Sequence, residues 1–422
     1  MYSMFWDSFI LNIITRLTKH NVLFVKLFQA LSSNDYVSDS VLEIFKSFTN
    51  SAKFYENEVD YELLDRVVEK YNIQLYSNKP FLFETESDCA TRSFNARRCK
   101  PINAGMISVI FKGRINDADV VIKLKRIDIY ARLQRGYREF GYLYKLIYNV
   151  LRLFGKHELL NTIASFVESE DYILTQCDFK DEIYAMETMK REFEEYAEIG
   201  TIKYIDRIVV PRVYNEPGET EYIVMEFLEG VSAFDVEEND KREYLHMLCL
   251  CLAFPLVSII QHTDLHPGNL IFMNVNGVKK LGMIDFGMFV VNTPKIQSGL
   301  FHLSELAINR RDLSHNYVKH FGVMYEPEID CEKLDESQYN KLNQLAKQMI
   351  DDLISGKLTE PHVREMFAKV QSALGNSLIR INIDAVKILL GNTMVCATIF
   401  SLTNDLEVIS EVQQLVVKDI MS

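Results

Sequence analysis

The sequence has no run of about twenty uncharged apolar residues, which is the length that a transmembrane helix needs. Its nearest approach runs from Ile388 to Leu402, but this stretch is shorter and is interrupted by Gly391-Asn392, so a buried helix is expected there. The apolar start at Met1 lacks a basic region, so we expect no secretory signal peptide. Internal repeats, Gly/Ser-rich linkers and low-complexity tracts are also absent from the sequence.

Cysteine pairs with the spacing of a metal or redox site are missing as well. The seven cysteines are odd in number, and no Cys-x-x-Cys occurs. Cys249 and Cys251 lie in an apolar helical run, which favours buried thiols over metal ligands. This cysteine usage predicts an intracellular, reducing compartment.

The chain also lacks an excess of positive charge. It has 46 Lys and Arg against 59 Asp and Glu, a net charge of −13, so we expect no nucleic-acid partner from the overall field. Its 422 residues are too many for one compact lobe, and a hydrophobic content of 48% is enough for a sizeable core. The composition therefore predicts two lobes with extensions.

The most informative stretch of the sequence carries two polar motifs on either side of a short ribbon. The first motif, His262–Asn269, reads His-x-Asp-x-His-Pro-Gly-Asn, and Asp285-Phe286-Gly287 begins sixteen residues beyond Asn269. Two apolar runs lie between them, Leu270–Met273 and Leu281–Ile284, and the Asn274–Gly277 connection is typical of a hairpin turn. The sequence thus places Asp264, Asn269 and Asp285 at the two ends of one small predicted ribbon.

The side chains of these motifs suit phosphoryl transfer. That reaction needs a carboxylate to orient or deprotonate a hydroxyl, and oxygen ligands to hold Mg²⁺ against nucleotide phosphates. Asp264, Asn269 and Asp285 have the spacing of the corresponding residues in protein kinases, which predicts a catalytic Asp264 and metal ligands at Asn269 and Asp285. A zinc site is the alternative, because His262, Asp264 and His266 alternate and would share one face of a strand. It gives Asn269 and Asp285 no role.

A second group of candidate residues lies on two predicted strands, Ile107–Lys112 and Val120–Leu124, joined by a turn at Asn116-Asp117. Small residues at Ala104-Gly105, before the first strand, would let backbone N–H groups approach a phosphate. Lys123 lies among apolar neighbours on the second strand. We interpret it as reaching across a cleft to phosphate oxygens and a partner carboxylate.

The carboxylate expected to pair with Lys123 is Glu182, on a predicted helix over Phe179–Tyr196. The pattern leaves other acidic residues open for this role: Asp181, Glu187 and Glu192. Two further predicted strands, Ile208–Tyr214 and Glu221–Phe227, would close the first lobe. Glu226 would then lie in a hinge whose backbone groups bind adenine.

The first part of the chain is predicted to be helical. Residues 1–20 form a broad-faced amphipathic helix, which could lie on a membrane surface or, as we favour, dock onto the protein's own core. Lys26 and Gln29 lie on one face of the next predicted helix, Leu23–Leu31, and composition alone gives them no function.

Taken together, the motifs are similar to those of the UbiB/AarF-domain family of atypical protein-kinase-like proteins, which is associated with coenzyme Q biosynthesis. The resemblance runs from about Leu23 to the C-terminus. Its motifs are Lys26-Leu27-Phe28-Gln29, the loop Pro101–Met106, Lys123, Gln176–Phe179 followed by Glu182, Met225-Glu226, His262–Asn269 and Asp285–Gly287.

The resemblance implies an α+β, bilobal protein-kinase-like fold with a small β-containing N-lobe and a helical C-lobe. It also implies an N-terminal helical extension over the cleft, in which Lys26 and Gln29 gate access where a protein substrate would otherwise sit. The expected segments are the extension at 1–78, the N-lobe with a helical insertion at 79–228 and the C-lobe at 229–422. ATP and Mg²⁺ are the expected cofactors, with Ala104, Gly105, Lys123, Glu226, Lys26 and Gln29 as the nucleotide-binding residues.

Four positions depart from the family pattern. Phe28 replaces a Gly, Gln176 replaces a Glu, and Asn103 and Met106 interrupt the Ala-rich loop. Phe28 would change helix packing, Gln176 removes a charge near Lys26 or the nucleotide, and the two loop changes would alter nucleotide preference. The residues expected to bind the Mg-nucleotide are retained.

The leading hypothesis is an atypical kinase or ATPase that binds Mg-ATP. It would either transfer the γ-phosphate to an unidentified acceptor or hydrolyse it. A small-molecule phosphotransferase of the aminoglycoside or choline kinase type is an alternative, although such enzymes lack the Lys26/Gln29 helix. A non-catalytic, nucleotide-gated pseudokinase scaffold is a third hypothesis, motivated by the changed loop and Gln176.

Overall fold

The computed structural model describes residues 21, 23–24, 56–76, 99–153, 170–299, 325–326, 330–354, 365–366, 369–370, 372–374 and 380–421. The predicted amphipathic helix at 1–20, Lys26, Gln29 and the boundary between residues 78 and 79 lie outside this part of the chain. The division into segments 1–78, 79–228 and 229–422 stays a prediction.

The described chain contains both helices and short strands. The helices are α1 Tyr61–Tyr71, α2 Ile129–Leu153, α3 Glu170–Thr175, α4 Phe179–Ile199, α5 Lys241–Ala253, α6 Glu336–Ile354, α7 Ile383–Leu402 and α8 Leu406–Met421. The strands are β1 Gln74–Leu75, β2 Asn103–Ala104, β3 Ser108–Ile115, β4 Ala118–Lys125, β5 Ile208–Val209, β6 Tyr222–Glu226, β7 Ile260–His262, β8 Leu270–Val275, β9 Val278–Met283, β10 Phe289–Val291, β11 Tyr325–Glu326 and β12 Arg380–Ile381.

The chain forms two compact units. The first comprises residues 1–181 and 212–227, and the second comprises residues 182–211 and 228–422. Helix α4 therefore contributes its first three residues to the first unit and the remainder, including Glu182, to the second.

The first unit is built on an antiparallel sheet in the order β1-β3-β4-β6, with β2 paired to β3. Strands β3 and β4 form a hairpin that closes at Asn116-Asp117, as predicted, and Asn116 has the positive φ of 52° that tight turns require. Helix α1 packs on one face of the sheet, where Leu64 and Val67 join Phe111 in the apolar core. The Asp60 side chain caps the N-terminus of this helix, and Asn72, in the left-handed conformation, ends it.

The second unit combines short sheets with buried helices. One sheet has the order β5-β9-β8, and β7 pairs with β10 in another. The β8–β9 ribbon turns at Asn276 and Gly277, whose positive φ values of 52° and 84° suit a two-residue hairpin, so the predicted hairpin is confirmed. Helices α7 and α8 both pack against α5.

The prediction of a strand over Ile208–Tyr214 that closes the first lobe is wrong in its first part. Ile208 and Val209 pair in parallel with Leu281 and Gly282, within the second unit. Val213 forms only an isolated bridge with Met225 in the first unit. A β-rich run of apolar residues does not indicate which partner it pairs with, so the sequence pattern could not place this segment.

The apolar stretch that ends at Leu402 is part of helix α7, whose Ile388, Val395 and Ile399 are buried, as predicted. Within the described part of the chain, none of the helices combines the length and the apolar character that crossing a bilayer requires. Cys249 and Cys251 are free and buried in α5, and burial raises the pKa of Cys251 to about 12. The prediction of buried thiols is thus confirmed.

Candidate active site

The loop His262–Asn269, here called the His-Asp loop, follows β7 in the second unit. His262 is 3% exposed, and both of its ring nitrogens are used: Nδ1 accepts from the Asp264 N–H at 3.1 Å, and Nε2 lies 3.2 Å from the Ile284 carbonyl. These contacts fit a neutral imidazole protonated on Nε2. Burial lowers the pKa of His262 to about 4, which agrees with a neutral imidazole.

This arrangement removes the support for a zinc site on the loop. Zinc needs an imidazole lone pair, and the lone pair on His262 Nδ1 is occupied by a backbone N–H. His266 uses its own Nδ1 to accept from the Gly268 N–H at 3.0 Å. Across the described residues, no group of three His, Cys, Asp or Glu side chains could hold a metal.

Asp264 and Asn269 are joined within the same loop. The Asn269 Nδ2 atom donates to the Asp264 backbone carbonyl at 2.8 Å and lies 3.5 Å from the Asp264 carboxylate. Asn269 is 5% exposed, so its side chain is held in a defined place. Because the amide nitrogen is used by Asp264, the amide oxygen is the end of Asn269 that suits a cation.

The predicted metal ligand Asp285 is tied to this loop through the residue before it. The Ile284 N–H donates to the Asn269 carbonyl at 3.0 Å, and the Ile284 carbonyl contacts His262 Nε2. Asp285 itself has a φ of 59°, a left-handed conformation that non-glycine residues adopt rarely and often at functional sites. Phe286 is fully buried with its ring edge against His262. Residues 264, 269 and 285 are thus brought together as the sequence spacing predicts.

The Glu182 carboxylate lies close to the Asp285–Gly287 motif. A Cβ atom at Gly287 would lie 3.6 Å from Asp285 Oδ1 and 3.9 Å from Glu182 Oε2, so the two carboxylates flank this glycine. Glu182 is 2% exposed. Two carboxylates close together stabilise a bound cation and repel each other without one.

Lys123 belongs to the first unit and lies on β4 between Ile110 of β3 and Ile223 of β6. It is 7% exposed, and its Nζ lies 5.5 Å from the centre of the Phe179 ring. The adjacent Ile122 points into the apolar core on the α1 side of the sheet, so the alternation of a strand puts Lys123 on the other face. A buried lysine on a central strand is uncommon in proteins.

The loop before β3 is held by a buried charged group that sequence reasoning missed. Arg126, 3% exposed, donates to the Gly105 carbonyl and to Glu58, and Arg132 donates to the other oxygen of Glu58 at 2.6 Å. The backbone N–H of Ala104 donates to the Asn103 side chain, and that of Gly105 donates to the Ser108 carbonyl. Both predicted phosphate-facing N–H groups are therefore engaged inside the loop.

Glu226 ends β6 and is fixed to the preceding segment of the first unit. Its N–H donates to the Arg212 carbonyl at 2.9 Å, and its Oε2 accepts from the Arg212 N–H at 3.2 Å. Asp178, from the segment in which Gln176 departs from the family motif, accepts from the Lys180 N–H and caps α4.

A second group that sequence reasoning missed connects helix α4 to β7 in the second unit. Glu192 is 8% exposed and accepts from the Ser258 hydroxyl at 2.5 Å and from the Ile259 N–H at 2.8 Å. These residues immediately precede β7 and the His-Asp loop. Glu192 was only one of several acidic residues in a helix of interleaved charges, so no local signal distinguished it.

Comparison with known families shows that the chain contains a protein-kinase-like domain. The ABC1 atypical kinase-like domain matches residues 39–315, well over half of the chain, and the chain belongs to this family. The resemblance to the UbiB/AarF-domain family and the predicted α+β kinase-like fold are thereby confirmed.

Individual relatives are distant. The "Probable protein kinase UbiB" of Photobacterium profundum is 24% identical over 161 residues, which cover 37% of this chain and 27% of the relative. The complex structure of Rv3197 with erythromycin from Mycobacterium tuberculosis aligns over 81% of this chain and 82% of that chain, with 16% identity and a TM-score of 0.37.

Proposed function

We propose that the protein binds Mg-ATP and transfers or hydrolyses its γ-phosphate, as an atypical kinase or ATPase. The observation that carries this proposal is the joined set of Asp264, Asn269 and Asp285, with the Glu182 carboxylate beside Asp285 at Gly287. These groups come from three separate segments of the second unit. Their convergence supports a site for charged, oxygen-rich ligands better than it supports a purely structural role.

The residues present fit a magnesium ion. The amide oxygen of Asn269 and the carboxylate of Asp285 are hard oxygen donors, and Mg²⁺ usually takes one or two such protein ligands together with phosphates and water. When bound, the ion would neutralise charge on the nucleotide phosphates. Hydrogen bonds from both peptide groups of Ile284 to the His-Asp loop keep the two ligands in a fixed relation.

Asp264 accepts a hydrogen bond from the acceptor hydroxyl or water and so orients it, in this proposal. Its backbone is positioned from both sides, because the Asp264 N–H donates to His262 and the Asp264 carbonyl accepts from Asn269. Lys123 is proposed to position phosphate oxygens. Its pairing with Glu182, the adenine contact near Glu226 and the gating role of Lys26 and Gln29 stay predictions.

A thermal-shift titration with adenine nucleotides, with and without Mg²⁺, tests this function. A ligand at about one hundred times its Kd stabilises the native state by about 2.7 kcal/mol, so binding raises the melting temperature. We expect Asp285→Asn to abolish the Mg²⁺-dependent part of the shift. Asp206→Asn, which removes the same charge at an exposed position of the second unit, is the matched control.

An unchanged Mg²⁺-dependent shift in Asp285→Asn would contradict the metal assignment. Release of inorganic phosphate from ATP, compared between the wild type and Asp264→Asn, then distinguishes catalysis from binding alone. Robust turnover of a small alcohol that Lys26→Ala does not affect would favour the small-molecule phosphotransferase.

One observation favours a second candidate, the nucleotide-gated scaffold. The N–H groups of Ala104 and Gly105 are used inside their own loop, which leaves this loop fewer donors for a γ-phosphate than the sequence predicts. Nucleotide binding without phosphate release, combined with ATP-dependent capture of a partner or membrane, would support that candidate.

A further inference from the structure

Helix α7 lies beyond the matched family domain, which ends at residue 315, yet it touches the candidate active site. A Cβ atom at Gly391 would lie 2.8 Å from the Thr263 Cα and 3.1 Å from its carbonyl carbon and oxygen. Real Cβ atoms essentially never come within 3.0 Å of such atoms. The backbone of α7 is therefore in direct contact with the backbone of the His-Asp loop, one residue before Asp264.

The same turn of α7 makes a polar contact at the start of this loop. Gln261 Nε2 donates to Asn392 Oδ1 at 3.1 Å. Gln261 and Thr263 are 3% and 1% exposed, and the side chain of each carries an oxygen without a hydrogen-bond partner. Their backbones are held by the pairing of β7 with β10 and by the bond from the Thr263 N–H to the Met288 carbonyl, and α7 packs against them as a further constraint.

Two other parts of the site touch α7. The helix contacts the short turn Pro267–Asn269, which carries Asn269, and it contacts β10, the strand that follows Asp285–Gly287. One helix consequently contacts the loop that carries Asp264 and Asn269 and the strand that follows the Asp285–Gly287 motif. The buried face of α7 that includes Ile388, Val395 and Ile399 fixes the helix in the core.

We propose that Gly391 and Asn392 are positioning residues, through which the C-terminal helix α7 sets the place of Asp264. This inference rests on the proposed function for its catalytic meaning, although the mechanical coupling can be tested without it. A side chain at Gly391 must push the helix or the loop away, since neither contacting group is a flexible side-chain end. A displacement of about 1 Å at a reacting group can lower a rate on the order of 10²-fold.

The test compares Gly391→Ala with the full-length wild type and with Gly141→Ala. Gly141 is a matched control because it also lies inside a helix, α2, and a Cβ atom there would meet nothing within 4 Å. Both changes gain the helix propensity of alanine, so only the clash distinguishes them. Asn392→Ala is a milder second variant, which removes the contact with Gln261 without adding a clash.

Two measurements separate this inference from the proposed function. By hydrogen exchange with mass spectrometry, we expect faster exchange in the His-Asp loop of Gly391→Ala and Asn392→Ala, with unchanged exchange in α5. By phosphate release from ATP, we expect kcat to fall about 10²-fold in Gly391→Ala, while Gly141→Ala keeps the wild-type rate.

Loop exchange equal to that of the wild type in both α7 variants would overturn the proposal, and so would an equal loss of protection in α5, which would indicate a general loosening of the core. If the wild type neither binds nor hydrolyses nucleotide, the proposed function fails, and the exchange data still decide whether α7 holds the loop.

Discussion

Glu192 offers a direct test of how helix α4 is fixed in the second unit. Its carboxylate accepts from the Ser258 hydroxyl and from the Ile259 N–H, both next to β7. In Glu192→Ala the single proton of the Ser258 hydroxyl can go to the Ile260 carbonyl, which lies 2.5 Å away. The Ile259 N–H has no such replacement and would be left without its acceptor.

The expected cost follows from these bonds. A hydrogen bond to a charged group contributes about 1.5–3 kcal/mol. Because the serine recovers its bond and Ile259 is 48% exposed, we expect Glu192→Ala to lower the free energy of unfolding by about 2 kcal/mol. Glu192→Gln keeps an oxygen for the Ile259 N–H and should cost about 1 kcal/mol.

Urea unfolding followed by far-UV circular dichroism measures this difference, with Glu195→Ala as the control. Glu195 lies on the same helix but is 64% exposed, and its contact with Arg191 spans 3.9 Å, so its loss should cost at most about 0.5 kcal/mol. Equal unfolding midpoints for Glu192→Ala and Glu195→Ala would refute the assignment of Glu192 as an anchor. Since α4 carries Glu182, we also expect a smaller Mg²⁺-dependent nucleotide shift in Glu192→Ala.

Two further predictions concern the first unit. Glu58→Gln should destabilise it by about 3–5 kcal/mol in the same unfolding assay, because the buried guanidinium of Arg126 and its neighbour Arg132 would lose their shared carboxylate; a cost below about 1 kcal/mol would contradict this. Burial alone would raise the pKa of Glu219, but hydrogen bonds from Lys70 and two tyrosines outweigh it and lower the pKa to about 2. The ionised Glu219 therefore stabilises the fold fully above about pH 4.5, and this contribution is lost as the pH falls towards 2. Over that range the free energy of unfolding of the wild type should fall by about 1–2 kcal/mol more than that of Glu219→Gln. Parallel pH profiles of the two proteins would contradict this role of Glu219.

The sequence predicted those elements that depend on neighbouring residues, such as turns and short loops. The Asn274–Gly277 turn and the apolar runs on either side of it predicted the β8–β9 ribbon, and Asn276 and Gly277 have the positive φ values of a hairpin turn. The spacing from Asp264 to Asn269 predicted their proximity because both lie within one short loop. Their hydrogen bond spans only five residues.

The contacts that sequence reasoning missed join distant parts of the chain. Ser258 and Glu192 are 66 residues apart, and Gln261 and Asn392 are 131 residues apart. Periodicity shows which face of a helix is apolar, but not which polar group lies opposite a given position. Gly391-Asn392 was visible only as an interruption of an apolar run, and its role became clear once Thr263 was found against it.

The β8–β9 ribbon has a practical consequence for labelling this protein. Asn269 and Asp285 lie at its one end, and the exposed Asn276-Gly277 turn lies at the other, about 20 Å away over six residue pairs. A Cβ atom at Gly277 would meet nothing within 4 Å. A dye or epitope inserted at this tip would thus lie at the end of a paired β-ribbon, far enough from Asn269 and Asp285 to leave them undisturbed.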